Sequence, residues 1–352
     1  MAGYGGWDAV SVVRLTQIDG KLPNLALMKI AHFHRQRGDA VAFSKDIYRG
    51  MDEPEYTAVY GSAVFTFSAD RVATFKQQFP NAIVGGTFDQ SAEGNARTVE
   101  SVLGIPESEV ADWSIYPRFS GSLGFTQRGC RFKCGFCNVP KKEGKPRAVN
   151  TIGSIWRGAA YPKHIHLLDN DFFGQPRAEW QARIDEIKGG KFKVCWNQGI
   201  NIRMITDESA AALKAAKYWD DGFKTARLYT AWDNIGHEDK FFTGIDILER
   251  NGIPPSHVMA YMLVGWDKNE TWERVLYRLN RMKERGIKPY PMIYGDRTRQ
   301  LPLGGCNQRI GHRRLMDFQR WVIKRFYIEI PFGEYERNAR GGRKETQMSF
   351  IA

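Results

Sequence analysis

The stretch SLGFTQRGCRFKCGFC, residues 122–137, joins a strand pattern to three closely spaced cysteines. Ser122–Gln127 is predicted to be a strand, and Cys130, Cys134 and Cys137 follow it in a C-x3-C-x2-C spacing. Three thiolates on one tight loop suit iron–sulfur ligation, because soft sulfur ligands favour such clusters. They leave one iron of a four-iron cluster without a protein ligand. The alternative is a structural zinc site, whose fourth ligand could only be Cys195, Cys306 or a distant histidine.

Beyond this loop, strand and helix patterns alternate. Further strands are predicted at His164–Leu168, Lys193–Asn197, Arg227–Ala231, Val258–Val264 and Pro289–Tyr294. Helices are predicted at Thr151–Ala160, Arg177–Lys188, Asp207–Trp219, His237–Asn251 and Thr271–Arg285. Six such alternations over residues 113–296 indicate an α/β fold that is an open, partial (β/α)6 relative of the (β/α)8 barrel. In such barrels the chemistry collects on the loops that follow the strands.

Residues 1–112 show an alternation of their own, typical of a doubly wound, Rossmann-like α/β domain. The predicted strands are Ala9–Leu15, Ala40–Ser44, Thr57–Phe67 and Ala82–Val84, with helices at Asn24–Arg37 and Ala69–Gln78. Trp113–Ser120 is predicted to be the linker to the next domain. Residues 297–352 are predicted to form a basic helical extension, with an amphipathic helix at His312–Tyr327 and a mobile tail at Arg337–Lys344.

The composition excludes several classes of protein. A chain of 352 residues with 42% hydrophobic content is too long for one small module and too apolar for a disordered protein. No run approaches the roughly 18 to 20 apolar residues of a membrane helix, and Met1–Trp7 lacks the layout of a secretory signal. Five cysteines, an odd number, argue against a disulfide framework. We therefore expect a soluble, cytoplasmic protein without a membrane partner.

The cysteine loop resembles that of the radical S-adenosylmethionine superfamily, whose pattern is C-x3-C-x-aromatic-C, with Phe136 at the aromatic position. The resemblance implies a [4Fe–4S] cluster held by the three cysteines, whose open iron binds the methionine moiety of S-adenosylmethionine. It implies reductive cleavage of this cofactor to methionine and a 5′-deoxyadenosyl radical, which abstracts hydrogen from a substrate that the sequence does not identify. Phe136 would lie beside the adenine.

The resemblance covers roughly residues 115–295 and implies further contacts to S-adenosylmethionine at the ends of the later strands. Asp169 and Asn170 stand where the family usually has a Gly-Gly-Glu-like stretch that receives the methionine amino group, a form from which this sequence departs. The other implied positions are Gln198, Arg203 for a carboxylate, Asp233 for the ribose, and Val264 and Gly265 for the adenine edge. The structural alternatives are a helix cap at Asp171, a surface salt bridge at Arg203, a turn at Asp233 and a buried strand at Val264.

The N-terminal domain resembles the cobalamin-binding-like domain that precedes the barrel in one subgroup of that superfamily. The subgroup's pattern is D-x-H-x-x-G, then S-x-L, then G-G. Ser62-Ala63-Val64 and Gly85-Gly86 fit the last two parts, but Asp19-Gly20-Lys21-Leu22-Pro23 has no histidine at the ligand position. His32 and His34 lie in the following helix and are predicted to be helix-surface residues. The missing ligand argues against cobalamin binding.

Charge is distributed unevenly along the chain. The net charge is +12, and residues 271–352 hold 18 Lys and Arg against 8 Asp and Glu. Basic residues also surround the cysteines and would stabilise an anionic cluster, or bind phosphate or an acidic reductant such as flavodoxin or ferredoxin. In the C-terminal segment, a polyanion-binding face is predicted from Arg313, Arg314, Arg320, Lys324 and Arg325, with Trp321, Phe326 and Tyr327 interleaved. This pattern makes nucleic acid or a phosphorylated metabolite a candidate substrate, the alternative being a helix that packs on the barrel.

The sequence therefore favours a radical S-adenosylmethionine enzyme of unknown specific reaction. Two alternatives stay open: a non-catalytic iron–sulfur or zinc protein, and a cobalamin-dependent radical methyltransferase. Cys195 is predicted to be a buried small apolar residue. Cys306 lies in a glycine-rich stretch, where a fourth metal ligand and a reactive thiol are both open interpretations.

Overall fold

A computed structural model describes residues 11–91, 97–305 and 310–336. The described residues divide into two compact units, the first formed by 11–91, 97–123 and 138–144 and the second by 124–137, 145–305 and 310–336. Each unit is built on parallel β-sheet, so the expected α/β class is confirmed. The boundaries expected at residues 112 and 296 stay predictions, and Cys306 and the tail Arg337–Lys344 lie outside the described residues.

The first unit contains a four-stranded parallel sheet in the order β2-β1-β3-β4. Its strands are β1 Val12–Gln17, β2 Ala40–Ser44, β3 Ala58–Ser62 and β4 Ile83–Gly85. Its helices are α1 Leu25–Gln36, α2 Ala69–Gln78, α3 Val99–Leu103 and the short α4 Val139–Lys142. Helix α1 begins at Asn24, whose side chain accepts a hydrogen bond from the Leu27 N–H, as an N-cap residue does.

Trp113–Ser120, the predicted linker, packs within the first unit. Tyr116 is buried in the apolar core of the first unit together with Leu15 and Leu27. Its hydroxyl donates to Gln17 Oε1 at 2.9 Å and accepts from the Asn24 N–H at 3.1 Å. The Tyr116 hydroxyl therefore links the end of β1 to the start of α1 by hydrogen bonds. A buried tyrosine hydroxyl needs such partners.

The second unit contains two three-stranded sheets in the orders β5-β8-β9 and β10-β11-β12 and a small antiparallel pair, β6 and β7. The strands are β5 Ser122–Gly124, which begins in the first unit, β6 Gln127–Arg128, β7 Arg147–Ala148, β8 His164–Leu167, β9 Lys193–Trp196, β10 Leu228–Ala231, β11 Val258–Val264 and β12 Lys288–Ile293. The helices are α5 Ile152–Ile155, α6 Arg177–Gly190, α7 Asp207–Ala216, α8 Glu238–Arg250, α9 Trp272–Glu284 and α10 Leu315–Ile323.

The two sheets of the second unit are joined where β9 ends. The Ile200 N–H donates to the Tyr229 carbonyl on β10 at 2.8 Å, and Thr230 Oγ1 donates to the Ile200 carbonyl at 2.9 Å. Helices α6 to α9 share one apolar core with the strands, through residues such as Ile184, Leu213, Ile245 and Leu279. The carboxyl ends of successive parallel strands therefore meet at a common edge.

Several predicted elements are shorter than expected. Ser122–Gln127 breaks into β5 and β6, because Thr126 donates its N–H to Asp169 Oδ1 at 2.7 Å instead of to a neighbouring strand. The helix predicted at Thr151–Ala160 ends at Ile155, and Gly158 then adopts a φ of +99°. The helix predicted at His312–Tyr327 spans only Leu315–Ile323.

The C-terminal basic segment is partly committed to internal contacts. Arg313 donates to the carbonyls of Phe332 and Gly333 at 2.8 Å each, and Arg314 pairs with Asp317 at 3.2 Å. Trp321 is buried in the core and is not a free platform for bases. Between residues 11 and 336, leaving aside the two undescribed gaps, no helix is long and apolar enough to cross a membrane.

A close contact in α8 yields a stability prediction. A Cβ on Gly244 would overlap the Ile202 carbonyl oxygen in the short 3₁₀ turn Ile202–Met204, which carries Arg203. We expect Gly244→Ala to destabilise the fold by about 1–3 kcal/mol through overpacking.

The matched control is Gly189→Ala in α6, where no atom lies within 4 Å of the added methyl group. This change should be neutral or stabilise by up to about 1 kcal/mol, since alanine has the higher helix propensity. Urea unfolding followed by circular dichroism measures both variants. Equal stabilities would contradict the proposed contact.

Candidate active site at the cysteine loop

The cysteine loop starts from a turn that a buried glutamine fixes. Gln127 is fully buried, and its Nε2 donates to the carbonyls of Arg128 and Gly129 at 2.6 and 2.7 Å. Its Oε1 accepts from the Asp171 N–H at 2.9 Å. Gly129 has a φ of +82°, which favours glycine just before Cys130. The loop therefore leaves β6 in a defined direction.

Asp171 also restrains the cysteine loop, through hydrogen bonds from Arg131. It is 1% exposed and receives Arg131 in a two-pronged pair, with distances of 2.7 Å from Nε to Oδ2 and 2.9 Å from Nη2 to Oδ1. The Arg131 N–H also donates to Oδ2 at 3.2 Å. The side chain of Asp171 does not cap the following turn, so that alternative is wrong. Paired guanidinium and carboxylate groups of this geometry fix orientation as well as charge.

The three cysteines form no disulfide and each is partly exposed, whereas Cys195 is buried as expected and also unbridged. The Phe132 N–H donates to Cys130 Sγ at 3.4 Å, and the Cys137 N–H donates to the Cys134 carbonyl at 3.0 Å. Burial raises the pKa of Cys130 to about 11. Among the described residues, no three His, Cys, Asp or Glu side chains are arranged to hold a metal ion. The donor chemistry of the thiols nevertheless fits a soft metal or an iron–sulfur cluster, whose binding would release the thiol protons.

An aromatic wall stands beside the loop. The Phe136 ring meets Trp266 edge to face at a centroid distance of 6.0 Å, and Trp266 meets Tyr294 in the same way at 4.7 Å. A Cβ on Gly135 would lie 3.1 Å from the Trp266 ring, so a glycine allows the loop to approach closely. Trp266 is 40% exposed, which is unusual for so large an apolar side chain. Sequence reasoning missed this residue, and its only signal was its position directly after Gly265.

The polar residues after β8 and β9 have mixed roles. Asp169 is buried and directs both carboxylate oxygens at Thr126, accepting from its N–H and from its hydroxyl. Asn170 and Gln198 are partly buried at the same strand ends. Arg203 stacks on Phe132 of the cysteine loop, with its guanidinium carbon 4.4 Å from the ring centre. Arg203 therefore contacts the loop directly, as a cation–π partner.

A buried ion pair organises the ends of β10 and β11. Arg278, 1% exposed, donates to the carbonyls of Trp232 and Asp233 at 3.1 Å each and of Leu263 at 2.9 Å, and it pairs with Glu270. Glu270 accepts from the Gly265 N–H at 2.5 Å. Asp233 Oδ1 accepts from the Leu263 N–H at 3.1 Å, and burial raises the pKa of Asp233.

The backbone at Val264 and Gly265 also has protein partners. The Val264 carbonyl accepts from the Tyr294 N–H at 2.9 Å, and the Gly265 carbonyl accepts from Arg299 at 2.8 Å. Of the predicted site residues, Phe136 therefore contacts Trp266 beside the cysteine loop. Arg203 contacts Phe132 within the loop. Asp169, Asp233, Val264 and Gly265 stand at the same strand edge, but they are hydrogen-bonded to other protein groups.

Comparison with models of known protein families gave no match, and a search of curated proteins gave none either.

The contact between Arg131 and Asp171 yields a prediction about the loop. Asp171→Asn should free the loop and raise the rate at which iodoacetamide alkylates Cys130, with a stability loss of about 1–3 kcal/mol, because it leaves Arg131 without its charged partner.

The matched control is Asp246→Asn, which removes the same charge from an exposed pair with Arg285. It should cost less than about 1 kcal/mol and leave the alkylation rate unchanged. Mass spectrometry of the alkylated peptides measures the rates. Indistinguishable rates in the two variants would show that Asp171 does not restrain the loop.

Proposed function

We propose that the chain is a radical S-adenosylmethionine enzyme in which Cys130, Cys134 and Cys137 hold a [4Fe–4S] cluster. The observation that carries the proposal is the set of three partly exposed thiols on one loop, which the pair of Arg131 and Asp171 fixes at a strand's carboxyl end. The bound cluster would supply the electron that cleaves the cofactor to methionine and a 5′-deoxyadenosyl radical for hydrogen abstraction. The substrate and the outcome of the reaction are left open.

The finer architecture belongs to the same proposal. We infer that β5, β8, β9, β10, β11 and β12 form a partial (β/α)6 barrel, supported by the two sheet orders and by the hydrogen bond from Ile200 to Tyr229. We also infer that the first unit is a cobalamin-binding-like domain, supported by its parallel order β2-β1-β3-β4. Loops at the carboxyl ends of such strands are the usual place for a cofactor.

Different residues of the chain would make different contacts with the cofactor. Phe136 and Trp266 offer an apolar wall that excludes water and can face an adenine ring. Asn170, Gln198, Arg203 and Asp233 remain the proposed polar contacts at the strand ends. Asp169 would act by fixing Thr126, since both of its oxygens are directed there. Val264 and Gly265 would contribute shape, because their backbone groups already have partners.

Positive charge near the loop supports an acidic electron donor. Lys133 and Lys145 are exposed in the second unit, and Arg203 lies on the Phe132 ring. Such cations favour the reduced, more negative state of a cluster and attract an acidic partner. We propose flavodoxin or ferredoxin as the class of reductant.

The direct test is anaerobic reconstitution with iron and sulfide. We expect about four irons per chain, and formation of 5′-deoxyadenosine when S-adenosylmethionine and dithionite are added. Alanine at Cys130, Cys134 or Cys137 should abolish both signals. Cys195→Ala is the matched control and should keep both, because this thiol is buried within β9.

Two results would refute the proposal. Zinc bound in place of iron would support the structural alternative. A stable cluster that yields no 5′-deoxyadenosine would support a protein that only transfers electrons.

The loop after β1 argues against cobalamin as a second cofactor. Asp19 accepts from the N–H groups of Val64 and Phe65 at 2.7 and 3.0 Å, and Gln17 donates to the carbonyls of Gly20 and Leu22 at 3.1 and 2.9 Å. These bonds tie the loop to the end of β3.

The two nearby histidines also have protein partners. His34 is buried between Asp39 and Tyr60, which corrects its prediction as a helix-surface residue. His32 lies 3.4 Å from Glu109. Neither is placed in the loop that follows β1.

We therefore expect the protein to bind cobalamin weakly or not at all. Gel filtration after mixing with hydroxocobalamin should show a protein peak without corrinoid absorption. A corrinoid spectrum that travels with the protein in stoichiometric amount would contradict this and favour a cobalamin-dependent methyltransferase.

A further inference from the structure

Basic residues gather at the edge opposite the cysteine loop, where β10, β11 and β12 begin. Arg227 directly precedes β10, His257 directly precedes β11, and Lys288 is the first residue of β12. The three strands are parallel neighbours, with Leu228 paired to Val258 and Met259 paired to Lys288. Their amino ends therefore bring these three side chains to one edge of the sheet.

A pocket of about 230 Å³ opens beside Lys288. Its lining includes Lys283 at the end of α9, Arg325 after α10, and Tyr327. The volume is below the roughly 300 to 1,000 Å³ of pockets that enclose a whole small-molecule ligand. The volume is sufficient for one small anionic group, whatever the size of the molecule that carries this group.

The cations of this edge act on one another. Burial lowers the pKa of Lys288, and Arg227 and Arg325 lower it further. Burial also lowers the pKa of Arg227, where Arg325 again adds to the effect, while Asp220 opposes it. Lys288, Arg227 and Arg325 are thus within electrostatic reach of each other, and an anion between them would relieve their repulsion.

Arg325 lines the pocket from a left-handed backbone conformation. Its φ is +63°, in the left-handed region that an arginine rarely adopts. A glycine there would be free of strain, yet the chain places a long cationic side chain at this point. Arg325 directly follows Lys324, the C-cap residue of α10, and helices commonly end on a residue in this conformation.

We propose that the pocket formed by Lys283, Lys288, Arg325 and Tyr327 is a binding site for a phosphate group. The lysines and the arginine supply charged N–H donors, which form strong hydrogen bonds to phosphate oxygens. The phosphate could belong to a small phosphorylated molecule or to a nucleic-acid backbone, and the binding test separates these sources. The proposal does not depend on the cysteine loop or on its cofactor.

The test compares two double variants of the full chain. Lys288→Gln with Arg325→Gln removes two charges from the pocket. Lys188→Gln with Lys240→Gln removes two charges from exposed positions on α6 and α8. Binding of pyrophosphate is measured by titration calorimetry, and binding of a labelled single-stranded RNA by fluorescence anisotropy at low salt.

We expect the pocket variant to bind about tenfold more weakly or worse, and the control to stay within about twofold of the parent protein. If the source is a nucleic-acid backbone, RNA binds, and the slope of log K against log salt becomes shallower by about 0.7 for each phosphate that the variant no longer neutralises. If the source is a small molecule, pyrophosphate binds and RNA does not. Either result supports the site.

Arg325→Gly separates a binding defect from a folding defect. Because glycine accepts a positive φ, this variant should unfold at a temperature no lower than the parent's, yet bind phosphate more weakly. The proposal is overturned if the parent protein binds neither probe, or if the pocket and control variants bind equally well.

Discussion

The geometry of the cysteine loop depends on one buried carboxylate. Asp171 is 1% exposed, and a charge so far from water is tolerated only when opposite charge and hydrogen bonds surround it. Arg131 supplies both, through its side chain and its backbone N–H. Gln127 connects the Asp171 backbone to the carbonyls that precede Cys130. Polar contacts to a second strand's loop, together with the packing of Phe136 on Trp266, therefore determine where the thiols stand.

A buried charged side chain also organises the ends of β10 and β11, but there it is an arginine instead of an aspartate. Arg278 is buried, and its planar fork reaches three carbonyls where β10 and β11 end, as well as Glu270. Carbonyls at strand ends have lost their partners in the sheet and need other donors. A lysine has no such fixed fork and could not reach all three. Helix α9 thus sets the backbone around Asp233 and Gly265 through a single side chain.

Local patterns in the sequence predicted most regular elements. Ala40–Ser44, Ala69–Gln78 and Val258–Val264 were found with the predicted bounds, because apolar periodicity and flanking turn residues are signals within a few positions. The break inside Ser122–Gln127 could not be predicted, since it arises from a bond between Thr126 and Asp169, 43 residues apart in the chain. The burial of Tyr116 likewise follows from distant partners on β1 and α1. Residues that are neighbours in the sequence indicate a strand or a helix. They do not indicate which distant polar group will replace a backbone hydrogen-bond partner in the β-sheet.

The two edges of the second unit's strands differ in how their charges are balanced. At the carboxyl edge Arg131 and Arg278 each face a buried carboxylate, so their charges are compensated within the protein. At the amino edge burial lowers the pKa of Lys288, and the neighbouring cations Arg227 and Arg325 lower it further. An anion bound at the proposed site would reduce this repulsion, and the relief would add to the free energy of binding. Charge paired within the protein gives a rigid site, whereas cations that repel one another at a pocket favour a ligand of opposite sign.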